Sequence, residues 1–240
     1  MGAIANFGGV QMRPIPNDAR GMINVDQLEA TLSPSGGFFP RPALLCLENT
    51  HNRGNGAAFS VAQMQPAVDV ARSHDMAIHI DGARIWNAAV ALGVPVADLA
   101  SVADSVSFCL SKGLSCPVGS VVVGDRDFVD RARRVRKTLG GGMRQAGIIA
   151  AAGLVALDSM VERLADDHAN AQQLAKGLAS LPGIEVDPTA IETNIVYMEL
   201  GDADGGEVAV ALKGEIDNGV EQRMTQTDEA GQRLPYSAAD

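Results

Sequence analysis

The chain has 240 residues, 46% of them hydrophobic but only 4% aromatic, so aliphatic side chains and alanines must build its core. A formal net charge of −10 argues against non-specific nucleic-acid binding, and no apolar run approaches the ~20 residues that cross a bilayer. Three cysteines, Cys46, Cys109 and Cys116, are odd in number and lack CxxC spacing, which disfavours both structural zinc and a disulfide framework.

In chain order, "GVQMRPIP" (9–16) reads as a short strand and "LLCLENT" (44–50) as a buried strand ending in polar groups. "SVAQMQPAVDVARSHD" (60–75) has helical spacing, with Ser60 and Gln63 placed as a capping box. Pro66 predicts a kink in that helix or a later start. "AIHI" (77–80), "SVSFCL" (105–110) and "GSVVVGD" (119–125) read as strands, and "RDFVDRARRVRKTLG" (126–140) as a basic amphipathic helix closed by glycines. From Gln145 to about Leu178 the sequence is Ala-rich and helical, broken at most once, with "GIEV" and "NIVYMEL" as later strands. Strands alternating with helices give an α/β fold built from parallel βαβ units. Ligands of open α/β sheets gather beyond the carboxyl ends of the strands. Three such ends here concentrate polar chemistry: "ENTHN", "DGAR" and "SKG".

Each candidate has an ordinary alternative. Lys112 stands in a run without another charge from Ser105 to Val123. A desolvated lysine becomes a nucleophile when its pKa falls from about 10.4, yet Lys112 taken alone also suits a surface turn. Asp81 could hold a metal, a ribose hydroxyl or a protonated heterocycle, though taken singly it reads first as a cap for the next helix. Arg84 could bind a substrate carboxylate with its planar fork or pair with Asp81. His51 could act as a base or stack on a ring, and a hydrogen-bonded loop histidine is the plainer reading. His74 and His168 read as surface residues and His79 as structural. "GNGAAF" (54–59) has Phe59 where a dinucleotide fingerprint needs its third glycine, so it reads as a loop. "GGGMRQ" (140–145) could wrap an anion with help from Arg144.

Four segments in order, "LCLENTHN", "HIDGARIWNA", "CLSKGLSCPVGS" and "RKTLGGGMRQAGIIAAAGL", closely resemble the low-specificity L-threonine aldolases. These belong to the β-eliminating lyase group of pyridoxal-phosphate enzymes. The likeness runs from about Gly9 to about Leu200. It implies an aspartate-aminotransferase type of fold: an incomplete three-layer large domain over residues 1–150, then a connecting helix and truncated α+β small domain over 151–240. It further implies that Lys112 bonds covalently to pyridoxal 5'-phosphate, that Asp81 keeps the pyridine nitrogen protonated, and that Arg144 lies near the phosphate. Arg84 would bind the α-carboxylate of a β-hydroxy-α-amino acid, and His51 is one candidate base. The implied reaction cleaves L-threonine or L-allo-threonine to glycine and acetaldehyde; an impaired family fragment or a related β-eliminating lyase is the alternative. The family also implies a homo-oligomer, dimer or tetramer; charge, hydropathy and cysteine usage add the expectation of a cytoplasmic chain with no metal and no membrane or nucleic-acid partner.

The sequence departs from the family pattern in three places. Family members carry a Ser-Gly-Thr phosphate loop and a ring-stacking histidine in an N-terminal portion; no "SGT" occurs here and no histidine precedes His51. Where relatives often place a histidine before the "LCLENT" strand, Phe38 and Phe39 stand instead. After "NIVYMEL" the polar tail reads as disordered.

Overall fold

The computed structural model describes residues 2–32 and 41–200; Phe38, Phe39 and the tail from residue 201 lie outside the described residues. Helices α1 (Ala3–Gly8) and α2 (Val25–Leu32) precede strand β1 (Leu44–Glu48). Next come α3 (Val61–Ser73), β2 (Ala77–Asp81), α4 (Ile85–Leu92), α5 (Val96–Ala100), β3 (Ser105–Cys109) and β4 (Ser120–Gly124). Helices α6 (Arg126–Thr138), α7 (Gly147–Ser159) and α8 (Leu164–Leu178) follow, then the short strands β5 (Ile184–Glu185) and β6 (Glu199–Leu200). The main sheet has the order β1-β2-β3-β4. Its first three strands are parallel, as expected of βαβ units, whereas β4 returns antiparallel to β3.

Alternation along the strands explains which face is covered. Leu45, Leu47, Ile78, Ile80, Val106 and Phe108 all point to one side and are buried, against Met64, Ala67 and Val68 of α3 and Ile85 and Ala88 of α4. The other side of the same strands presents Leu44, Cys46, Ala77, Asp81 and Val122, all exposed. Among the described residues the helices therefore cover one face of the sheet, and the second helical layer of the expected three is not among them. Ala156 of α7 and Leu164 at the start of α8 still belong to the main core, while Ala171, Ala175 and Ile191 form a second small cluster.

Local sequence accounts for most element ends. The Ser60–Gln63 capping box forms as read, and the helix starts at Val61 despite Pro66. Ala62 and Pro66 are both exposed, so the carbonyl that loses its partner to proline faces water. The Ala-rich stretch breaks once, between α7 and α8. "GVQMRPIP" is not a strand: its residues are irregular and exposed except Ile15, because two prolines deprive an eight-residue run of ladder donors. "NIVYMEL" yields only the two residues of β6.

Asp104, just before β3, ties α3 to the sheet. Its carboxylate accepts from Arg72 Nη1 at 2.8 Å, Arg72 Nη2 at 3.0 Å and the Ile78 backbone N–H at 2.6 Å. Burial alone would raise this carboxyl, but the bonds from Arg72 and Ile78 more than offset it and hold it below the usual range. A carboxyl depressed in the folded state stabilises above its unfolded pKa, and that contribution is lost as pH falls through the folded value. Both side chains are nearly half exposed, at 44% and 46%, so screening limits the effect. Asp104→Asn should cost about 1 kcal/mol at pH 7, and the difference from the parent chain should vanish in strong acid. Urea unfolding of both proteins across pH measures this.

Candidate active site

Parallel pairing brings the three polar strand ends side by side. The register aligns Glu48 with Asp81 and Asp81 with Ser107, so "ENTHN", "DGAR" and "SKG" leave the sheet at the same edge. Backbone bonds stitch them together: Asn49 N–H donates to the Asp81 carbonyl at 3.0 Å and Gly82 N–H to the Ser107 carbonyl at 2.8 Å. Cys109 N–H reaches the Ala83 carbonyl at 3.3 Å. Gly82 has no room for a side chain, since a Cβ there would lie 2.9 Å from Ile85 Cβ and 3.0 Å from the Ser107 carbonyl oxygen. The close approach of the β2 and β3 ends therefore requires glycine.

Asp81 keeps an exposed carboxylate at this edge. It does not cap α4: its Oδ1 accepts from Ala83 N–H at 3.1 Å, while the N-cap of α4 is Arg84, without a side-chain cap bond. The Asp81 charge is felt by its neighbours. Although the residue is exposed overall, desolvation by the surrounding chain, then the Asp81 charge, raises the Cys46 thiol. Burial lowers His79, against the opposing effects of Asp81 and Ser105. His79 is bonded through Nδ1 to Ser105 Oγ at 2.8 Å and through Nε2 to Ser107 Oγ at 3.4 Å, which is the structural role its sequence suggested.

Arg84 Nη1 donates to Asn52 Oδ1 at 3.2 Å, so the arginine after β2 is oriented by the loop after β1. That loop is itself held tightly. Glu48 Oε1 accepts from Asn52 N–H at 2.8 Å, and His51 Nδ1 accepts from Gly54 N–H at 2.9 Å. The neutral His51 ring therefore carries its proton on Nε2, which faces Glu48 Oε2 at 3.6 Å. Gly21 closes over the ring, where a Cβ would lie 2.1 Å from His51 Cγ. His51 thus ties the loop after β1 to Gly54 and to Glu48.

Two further segments clamp the same loop, and the sequence did not mark them. On one side, a Cβ on Gly54 would lie 1.8 Å from the Arg20 carbonyl oxygen. On the other, Thr193 Oγ1 donates to the Gly56 carbonyl at 2.6 Å, and Glu192 Oε2 accepts from Ala58 N–H at 3.0 Å. Arg20 and Glu192 join the two sides as an ion pair. "GNGAAF" is therefore a loop, as read, and its glycines mark close contacts with distant chain.

Lys112 is half-buried in the turn that follows β3. Arg144 lies in the segment between α6 and α7 and is exposed; the strand pairings that unite Lys112, Asp81 and Arg84 do not extend to it. His168 is not a surface residue: it is half-buried on α8 and bonded to Asn87. No group of three or more histidine, cysteine or acidic side chains suited to a metal occurs among the described residues, and none of their helices is long and apolar enough to cross a membrane.

The donor set, a lysine amine, an accessible carboxylate and an oriented guanidinium at adjoining strand ends, suits a carbonyl-bearing nitrogen heterocycle together with an amino acid. The family model for beta-eliminating lyases matches residues 1–200. The chain is 46% identical over 203 residues to low-specificity L-threonine aldolase 1 of Arabidopsis thaliana, a match covering 84% of this chain and 57% of the relative. It is 40% identical over 212 residues to the low specificity L-threonine aldolase of Escherichia coli O157:H7, covering 88% and 62% respectively. The chain thus spans about three-fifths of the length of these curated relatives. Its fold resembles that of Leishmania major threonine aldolase with a TM-score of 0.63 at 16% identity, over 90% of this chain and 61% of that one.

Proposed function

The chain belongs to the beta-eliminating lyase family, and from that premise we propose that it binds pyridoxal 5'-phosphate and cleaves L-threonine or L-allo-threonine to glycine and acetaldehyde. One observation carries the reading: Lys112, Asp81 with Arg84, and the Asn52 loop follow three adjacent parallel strands at one sheet edge. Lys112 would hold the cofactor through its amine, Asp81 would keep a proton on the ring nitrogen, and Arg144 would serve the phosphate. Bound there, pyridoxal phosphate supplies an electron-accepting ring, and the protein's part is orientation and charge.

Arg84 would grip the substrate α-carboxylate through paired N–H donors. Its bond to Asn52 orients the guanidinium, and the Glu48 and His51 contacts hold Asn52 in place. By fixing the carboxylate, Arg84 would set the orientation of the Cα–Cβ bond, so that this bond is the one aligned to give up its electron pair. Loss of the β-hydroxyl proton releases acetaldehyde, and a proton returning to Cα gives glycine. Arg84→Lys keeps the charge but loses the planar fork, so KM for threonine should rise by about 10- to 100-fold with a smaller change in kcat. Steady-state kinetics on the two proteins distinguishes this from a uniform loss of activity.

Self-assembly belongs to the same reading. Val135 of α6, Leu139 just after it, Met143, and Ile148, Leu154 and Val155 of α7 are all more than half exposed. Apolar surface on that scale favours burial against another subunit, in a cytoplasmic homo-oligomer. The test of function is release of glycine and acetaldehyde in equal amounts when the full chain receives pyridoxal phosphate and each threonine diastereomer. Cofactor binding without release would support the impaired-fragment alternative.

A further inference from the structure

The turn that carries Lys112 has its own short hydrogen bonds: Ser115 N–H to the Lys112 carbonyl at 2.8 Å and Cys116 N–H to the Leu110 carbonyl at 3.1 Å. What fixes this turn relative to the rest of the site lies outside it. Gly113, next to the lysine, is pressed against two helices. A Cβ there would sit 2.7 Å from Leu164 Cδ2 of α8 and 3.4 Å from Asn87 Oδ1 of α4. Asn87 is only 2% exposed, and its Nδ2 lies 3.1 Å from His168 Nε2. Leu164 and His168 are four residues apart on α8 and so share one face. Asn87 stands three residues beyond Arg84, the N-cap of α4, so the helix that receives His168 also carries the end of "DGAR".

We propose that the Asn87–His168 pair is a latch that seats α8 against the lysine turn and so sets where the Lys112 amine stands relative to Asp81 and Arg84. His168 is then a positioning residue, not a catalytic one, and the proposal rests on Lys112 being the cofactor lysine. A buried amide needs a partner, and His168 supplies one at the point where the turn touches both helices. Burial holds the ring below the ordinary histidine range, which keeps Nε2 free to accept from Asn87. The reach of α8 extends further. One turn beyond His168, Gln172 Nε2 donates to the Pro188 carbonyl at 3.1 Å and also to the Ile191 carbonyl. Glu192 and Thr193, next in the chain, are the residues that clamp the loop after β1. One helix therefore connects the lysine turn to the loop that orients Arg84.

The test is amide hydrogen exchange on the full chain, with and without pyridoxal phosphate, for the parent, His168→Ala, His168→Gln and Asn87→Ala. The latch predicts that His168→Ala and Asn87→Ala each speed exchange at Ser115 and Cys116 by about tenfold, the scale of one buried hydrogen bond, while Ile80 and Val106 in the sheet stay as protected as before. His168→Gln, which can still accept from Asn87, should restore protection. Borohydride labelling of Lys112 should slow in parallel in the two alanine variants. Asn87→Ala leaves His168 in place and serves if His168→Ala does not fold. Unchanged exchange at Ser115 and Cys116 in either folded alanine variant would overturn the latch. Failure of the parent chain to label at Lys112 would instead overturn the cofactor assignment, while the exchange at Ser115 and Cys116 reads the contact independently of it.

Discussion

Lys112→Ala is expected to lower threonine cleavage by at least about 10³-fold, the scale on which loss of a covalent catalytic group acts. The reason is positional as well as chemical. Lys112 leaves the end of β3 beside the ends of β1 and β2, in a turn pressed against α4 and α8, and another lysine elsewhere in the chain cannot substitute for an amine delivered there. Because the side chain is half-buried in a turn and not in the core, the fold should be affected by less than about 0.5 kcal/mol. Urea unfolding and a glycine-release assay on the same preparation separate the two effects. An alanine variant that turns over threonine at the parent rate would remove Lys112 from the mechanism.

Gly54→Ala is expected to be the most damaging single change outside the chemistry. The new Cβ would lie 1.8 Å from the Arg20 carbonyl oxygen and 2.4 Å from its carbonyl carbon, and backbone cannot swing aside as a side chain would. Either the segment around Arg20 or the loop from His51 to Ala57 must move by more than an ångström, on the order of 3 kcal/mol for forced overpacking. The loop also holds Asn52 against Arg84, so KM should rise in whatever fraction remains folded. Gly177→Ala is the matching control. It lies in α8 with nothing within 4 Å of its would-be Cβ, and should stabilise by about 0.5–1 kcal/mol through the better helix propensity of alanine. Denaturation midpoints of the two variants falling on opposite sides of the parent would bear this out.

What the sequence made legible, and what it hid, follow from the range of the forces involved. Strands β1 to β3 and helices α3 and α6 could be read because alternation, capping and amphipathic period are local signals. The "ENTHN", "DGAR" and "SKG" clusters could be placed together because parallel βαβ units bring successive strand ends to one edge. Long-range contacts left no such trace. His168 sits in a charge-rich helical sequence that looks solvated, and only the packing of α8 on α4 buries it against Asn87. Nothing local in "ENTHN" announces that Gly54 and Gly21, from two separate segments, pack against the His51 ring. The glycines of "GNGAAF" were the one usable clue, since each leaves room for chain that arrives from more than thirty residues away. Pro66 misled in the other direction, because its exposed position lets water satisfy the carbonyl that proline leaves unpaired.

The central claim, that Lys112 is the cofactor lysine of this chain, is tested most directly by borohydride reduction after incubation with pyridoxal phosphate, followed by peptide mass mapping. The chain has four lysines, Lys112, Lys137, Lys176 and Lys213, so the assignment is discriminating. A single pyridoxyl group on the peptide containing Lys112, absent from Lys112→Ala, is the predicted result. Label spread over the other three lysines, or no label at all, would contradict it.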